Sequence, residues 1–115
     1  MSEDHKQTVL VVEDQDEITA NMKAMLVRKG YRVLHAKDAD GALKAAEHTP
    51  PAVILTDLDL PSLGQLMDQL RVHETLRNLL VAVIDINHPE NVRSDLTILN
   101  SFDELDQLIA ATRER

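Results

Sequence analysis

A chain of 115 residues, 43% of them apolar, is long enough for one hydrophobic core and too short for two. With one Tyr, one Phe and no Trp, that core must come from Leu, Val, Ile, Ala and Met, and stacking of aromatic rings on bases is excluded as a binding mode. Twelve Lys and Arg against twenty Asp and Glu give a net charge of -8, which disfavours a nucleic-acid backbone as direct partner, and the lack of cysteine excludes disulfides, thiolate nucleophiles and Cys-based zinc sites.

The polar, acidic residues 1–7 are expected to form a flexible tail ahead of a single domain over 8–115. No apolar segment approaches membrane-spanning length and the start is not that of a leader, so a cytoplasmic location is expected. Thr8-Val9-Leu10-Val11-Val12 is apolar without alternation, the pattern of a strand buried on both faces of a parallel sheet, and it ends on Glu13 and Asp14. Asp16 is placed to cap a helix whose Ile18, Met22, Met25 and Leu26 recur at helical spacing, with Gly30 as its stop. Tyr31 to Ala36 predicts a short strand, and Arg32 suits an outer position. Asp38 can cap a second helix through His48 with Ala39, Ala42, Leu43 and Ala46 inward, and Pro50-Pro51 prevents its continuation.

Val53, Ile54 and Leu55 form another unalternating run, which breaks off at Asp57 and is closed by Pro61. Leu63, Leu66, Met67 and Leu70 then mark a third helix ending near Arg71 or His73. Leu79 to Ile84 predicts a buried strand ending on Asp85, and Leu96 to Leu99 a last short one. A final helix from about Phe102 to Arg113 turns Leu105, Leu108, Ile109 and Thr112 inward, with Asp103, Glu104 and Asp106 in its N-terminal half. Alternating strands and helices imply a parallel sheet with right-handed crossovers and helices on both faces. Residues 86–95 are short for a crossover, which usually takes about a dozen residues or more. They leave room for a helical remnant of a turn or two, which Pro89 could open.

Strands that end on acids set up the functional question. Ligands gather at the carboxyl ends of strands in open α/β sheets, so Asp57 is a candidate working group; the plain alternative is a carboxylate that marks a turn. Glu13 and Asp14 fit either a cation site or the ordinary preference for acids at a helix N-terminus. His5, His35, His48, His73 and His88 show no metal spacing and are expected at solvated positions.

In this order and spacing the segments resemble the receiver domains of bacterial two-component response regulators, over essentially the whole chain. Val9-Leu10-Val11-Val12-Glu13-Asp14 is similar to that family's first strand and acidic pair. Gly30-Tyr31-Arg32-Val33 and Ala36 through Gly41-Ala42 are similar to its second strand and second helix, and Asp57-Leu58-Asp59-Leu60-Pro61, with Gly64 beyond, to its phosphoacceptor motif. The resemblance implies a flavodoxin-like three-layer α/β sandwich with a five-stranded parallel sheet of order 2-1-3-4-5, here with a truncated fourth helix. It also implies that Asp57 takes a phosphoryl group from a histidine kinase. Magnesium would be bound weakly by Asp14, Asp57 and the carbonyl of Asp59, with Glu13 holding a coordinated water; hard oxygen donors suit that ion.

Several positions depart from the family pattern, on an alignment in which the short loop and a small deletion after Pro61 absorb the length difference. Asp85 stands where the family has a Ser or Thr that hydrogen-bonds the phosphoryl group, and Thr97 where it has a switching aromatic. Asn100 replaces the lysine that pairs with the phosphate and Ser101 the proline after it, while Phe102 is kept. Two unit charges about 4 Å apart at an effective dielectric near 20 interact by roughly 4 kcal/mol. Losing a cation and gaining an anion therefore disfavours the phosphorylated state, although Asp85 could instead strengthen cation binding or carry a proton. The expected function is a degenerate, non-enzymatic receiver that binds a histidine kinase or another signalling protein. The alternatives are a working phosphoacceptor and, remotely, a haloacid dehalogenase-type phosphatase, for the acid-x-acid triplet Asp57-Leu58-Asp59.

Overall fold

Apolar runs that cannot face water on either side need cover on both, and in the computed structural model they lie in a five-stranded parallel sheet between two helical layers. The structure describes residues 7–57, 63–77, 79–84, 97–99 and 103–113. Strands β1 (Thr8–Val12), β2 (Arg32–Ala36), β3 (Val53–Asp57), β4 (Leu80–Ile84) and β5 (Thr97–Leu99) are ordered β2-β1-β3-β4-β5, and every pairing is parallel. The helices are α1 (Asp16–Arg28), α2 (Ala39–His48), α3 (Leu63–Val72) and α4 (Asp103–Arg113). This is the expected sheet order. The expected helical remnant and residues 1–6 of the expected tail over 1–7 lie outside the described residues.

Successive side chains of a strand point to opposite faces, so β1 serves two cores at once. Val9 and Val11 pack with Val53 and Leu55 of β3 against Met22 and Leu26 of α1 and Leu105 and Ile109 of α4. Leu10 and Val12 pack with Ile54 against Ala39, Ala42 and Ala46 of α2 and Leu63, Leu66 and Leu70 of α3. Val9 through Val12 are each fully buried. β2, at the sheet edge, exposes Arg32 and His35, as an outer strand should.

Local signals set the helix ends. At the end of α1, Gly30 adopts φ 96°. Its N–H donates to Val27 O (2.9 Å), and the Tyr31 N–H reaches Leu26 O (3.1 Å). These are the paired bonds of a Schellman motif, and the buried contact partners Leu26 and Tyr31 complete it. Asp38 caps α2 by accepting from the Gly41 N–H at 2.9 Å. The start of α1 corrects the sequence reading: Asp16 is its first helical residue, and the cap position is Gln15, which makes no side-chain capping bond. Among the described residues, no helix is long and apolar enough to cross a membrane.

Polar contacts fasten the layers where periodicity gave no hint. Tyr31, 5% exposed, donates its phenolic O–H to Asp106 Oδ1, and Lys29 Nζ lies 3.2 Å from Asp106 Oδ2, so α4 is clamped to the α1–β2 turn. On the opposite side, His73 Nδ1 accepts from the N–H groups of Thr75 and Leu76, both at 3.2 Å. An accepting Nδ1 places the proton on Nε2, which donates to Glu47 Oε2 at 2.7 Å and joins the end of α3 to α2. His73 is therefore a turn cap rather than the solvated residue expected. His48 is exposed, while His5 and His88 lie outside the described residues.

Burial, the hydrogen bond to Asp106 and the adjacent Asp106 charge together raise the Tyr31 phenol above its ordinary value. Above about pH 10 the unfolded chain loses that proton while the folded chain keeps it, so stability falls as pH rises there. Tyr31→Phe should cost about 1 kcal/mol near neutrality and flatten that alkaline decline. Urea midpoints of both proteins across about pH 7 to 11 check this; parallel declines would detach the pH dependence from Tyr31.

Candidate functional site

Where β1, β3 and β4 end, the sheet register sets what can meet. Val12 is level with Thr56, and Thr56 with Val83. One step further, Asp57 is level with Ile84 and Ile84 with Leu99, and Glu13 follows Val12 at the same height as Asp57. The chain leaves β1 toward β2 on one side and later returns to β3 on the other. The switch point of the sheet, where a crevice opens, therefore lies between Glu13-Asp14 and Asp57.

Glu13 is an acid where burial would ordinarily forbid one, 2% exposed just beyond the four fully buried apolar residues of β1. Its N–H donates to Ala36 O of β2 (3.0 Å), and its Oε2 accepts from the Gln15 N–H (3.1 Å), which turns the carboxylate across the start of α1. Asp14 is exposed beside it. On β3, fully buried Thr56 donates its hydroxyl to Val12 O at 3.0 Å, tying the two strands together one residue before each acid. A buried and an exposed carboxyl group level with a strand-end aspartate are hard oxygen donors of the kind magnesium takes.

Of the residues expected here, the structure brings Glu13, Asp14 and the backbone of Asp57 to one end of adjacent strands. Thr97 opens β5 opposite Ala82. Asp59, Asp85, Asn100 and Ser101 lie outside the described residues, and among those described no three His, Asp or Glu side chains gather as a metal cluster. Sequence reasoning missed Thr19, His35 and Thr56. Thr19 Oγ1 donates to Gln15 O (3.0 Å), and His35 Nε2 lies 3.1 Å from Glu13 O. Thr56 was the findable one, a hydroxyl set inside an apolar run next to the candidate acid. His35 is exposed, as expected, yet engaged.

A doubly covered parallel sheet of order 2-1-3-4-5 with acids at its switch point defines the class of receiver-type α/β domains. The response regulator receiver domain model matches residues 9–95, and the chain belongs to that family. It is 40% identical over 56 residues to the transcriptional regulatory protein KdpE of Mycobacterium tuberculosis, covering 49% of this chain and 25% of that one. It is 36% identical over 75 residues to the alkaline phosphatase synthesis transcriptional regulatory protein PhoP of Bacillus subtilis, covering 64% and 31%. The chain thus spans about a quarter to a third of these curated relatives. Among solved structures, the receiver domain of the sensor histidine kinase PA1611 from Pseudomonas aeruginosa superposes with a TM-score of 0.74 at 25% identity, covering 95% and 98% of the two chains; its cleft holds a coordinated magnesium ion. The pseudo-receiver domain of the CikA protein shares the fold, with a TM-score of 0.74 at 22% identity over 93% and 97%. Membership of the receiver family replaces the phosphatase alternative.

Thr56→Val keeps the shape and removes the buried hydrogen bond from the hydroxyl to Val12 O between β1 and β3. It should lower stability by about 1 kcal/mol, seen as a reduced urea midpoint at unchanged slope. An unchanged midpoint would mean that the hydroxyl does not brace the strand ends.

Proposed function

We propose that this receiver domain is a degenerate one, a protein-interaction module of two-component signalling in which phosphorylation no longer throws the usual switch. The observation that carries the reading is the charge balance of the residues around the strand ends. Glu13, Asp14, Asp57 and Asp85 contribute only negative charge, and Asn100 stands where the family has its phosphate-pairing lysine. Thr97, Asn100 and Ser101 fall beyond the span that the family description matches. A ligand shifts a two-state equilibrium only by its differential affinity for the two states. With Asp85 and Thr97 in place of the hydroxyl and the aromatic, a phosphoryl group has little to bias, and one conformation dominates.

Partners are then read constitutively through α1 or α4, the helices of one outer layer. α1 exposes Met25 and Val27 at 38% and 55%, apolar surface that a partner could cover. A histidine kinase or another cytoplasmic signalling protein is the partner class, in keeping with the regulators among the relatives and with the sensor kinase CqsS of Vibrio cholerae, 32% identical over 62 residues. Like other receivers, the domain transmits signals and is not an enzyme.

The donor set suits magnesium or manganese, which Asp14, Asp57 and the carbonyl of Asp59 would bind directly and Glu13 through a water. When bound, such an ion neutralises charge on phosphoryl oxygens. The second reading, a working phosphoacceptor, draws on the same geometry, since Asp57 is retained level with Glu13 and its carboxylate could attack a phosphoryl donor.

Treatment with acetyl phosphate and magnesium, followed by intact-mass measurement, should leave wild type without a lasting phosphoryl adduct. Asp57→Ala and Asp57→Asn should keep partner binding, while Asp57→Asn abolishes titration by manganese. Loss of function in both variants with the fold intact would establish the phosphoacceptor reading instead.

A further inference from the structure

Glu13 is held from β2 as well as from its own strand. His35, the penultimate residue of β2, places Nε2 3.1 Å from the Glu13 carbonyl oxygen and 3.3 Å from Thr19 Oγ1. The Thr19 hydroxyl gives its only proton to Gln15 O, at 3.0 Å, and a carbonyl can only accept. Both atoms around Nε2 are therefore acceptors, and the imidazole must carry a proton on Nε2 shared between them. The contacts close a ring about the β1–α1 turn: His35 to Glu13 and Thr19, Thr19 to Gln15, and the Gln15 N–H back to Glu13 Oε2 at 3.1 Å.

We infer that His35 is a positioning residue for the strand-end cation site, fixing the Glu13 peptide so that the acids at 13 and 14 are set before an ion arrives. The inference rests on the cation reading proposed above. Outer groups that orient ligands typically govern affinity about 10- to 100-fold, through ordering that the ion need not impose. His35 acts through the turn and does not itself touch the ion. Gln presents an amide N–H at nearly the same reach as Nε2, so it can replace the donor, whereas Ala cannot.

Two measurements on the intact chain decide it. The first needs no cation: long-range 1H–15N correlation should show His35 with its proton on Nε2. Amide exchange at Gln15 should then be about 10-fold faster in His35→Ala and near wild type in His35→Gln, since the Gln15 N–H is protected by the same ring. The second titrates manganese and magnesium chloride, expecting about 10-fold weaker binding in His35→Ala and recovery in His35→Gln, at thermal midpoints close to wild type. An Nε2 without a proton, or equal Gln15 exchange in all three proteins, overturns the brace. Weakened ion binding without rescue by His35→Gln overturns the positioning role. Wild type binding neither ion overturns the cation reading and with it the positioning role, while tautomer and exchange still decide whether the brace exists.

Discussion

Everything in this domain follows from burying β1 on both faces. Four consecutive residues, Val9 to Val12, have no exposed surface, so neither face of the strand can host a polar group, and chemistry is pushed to its carboxyl end. Each of these side chains contributes roughly 1.5–3 kcal/mol by burial, and alternate residues belong to different cores. A one-residue slip of β1 would exchange the two cores and carry Glu13 into the sheet. The register that satisfies both helical layers is therefore also the register that sets Glu13 level with Asp57.

The fold was legible because its signals are local. Unalternating runs gave the strands, the 3- and 4-residue spacing of Leu63, Leu66, Met67 and Leu70 gave α3, and Gly30 and Asp38 marked helix ends through backbone geometry and capping. The misplaced cap of α1 has a local reason: an acid at Asp16 looks like a capping residue, but Asp16 is already the first residue of the helix and the cap position falls on Gln15. The clamp of Tyr31 and Lys29 on Asp106 joins residues 75 and 77 positions apart, and neither periodicity nor composition encodes such a pairing.

The candidate site was legible only in its acids. Glu13, Asp14 and Asp57 declare themselves because a carboxylate at the end of an apolar strand is costly unless something compensates for it. The compensating groups do not declare themselves. Thr19 looks like any small polar residue on a helix, and His35, on an edge strand, looks like a residue facing water. Their roles appear only when β1, α1 and β2 come together, since each hydrogen bond there joins a side chain to another element or to a backbone group of the turn.

The acidic end of β1 is braced from one half of the sheet. The β1–α1–β2 half is closed by its own bonds: Glu13 N–H to Ala36 O, Gln15 N–H to Glu13 Oε2 and the Schellman turn at Gly30 all lie within it. None of these bonds involves β4 or β5. They hold the acidic end of β1 against β2 and the start of α1. The bonds that orient Glu13 and the ladder between β4 and β5 therefore belong to different parts of the sheet.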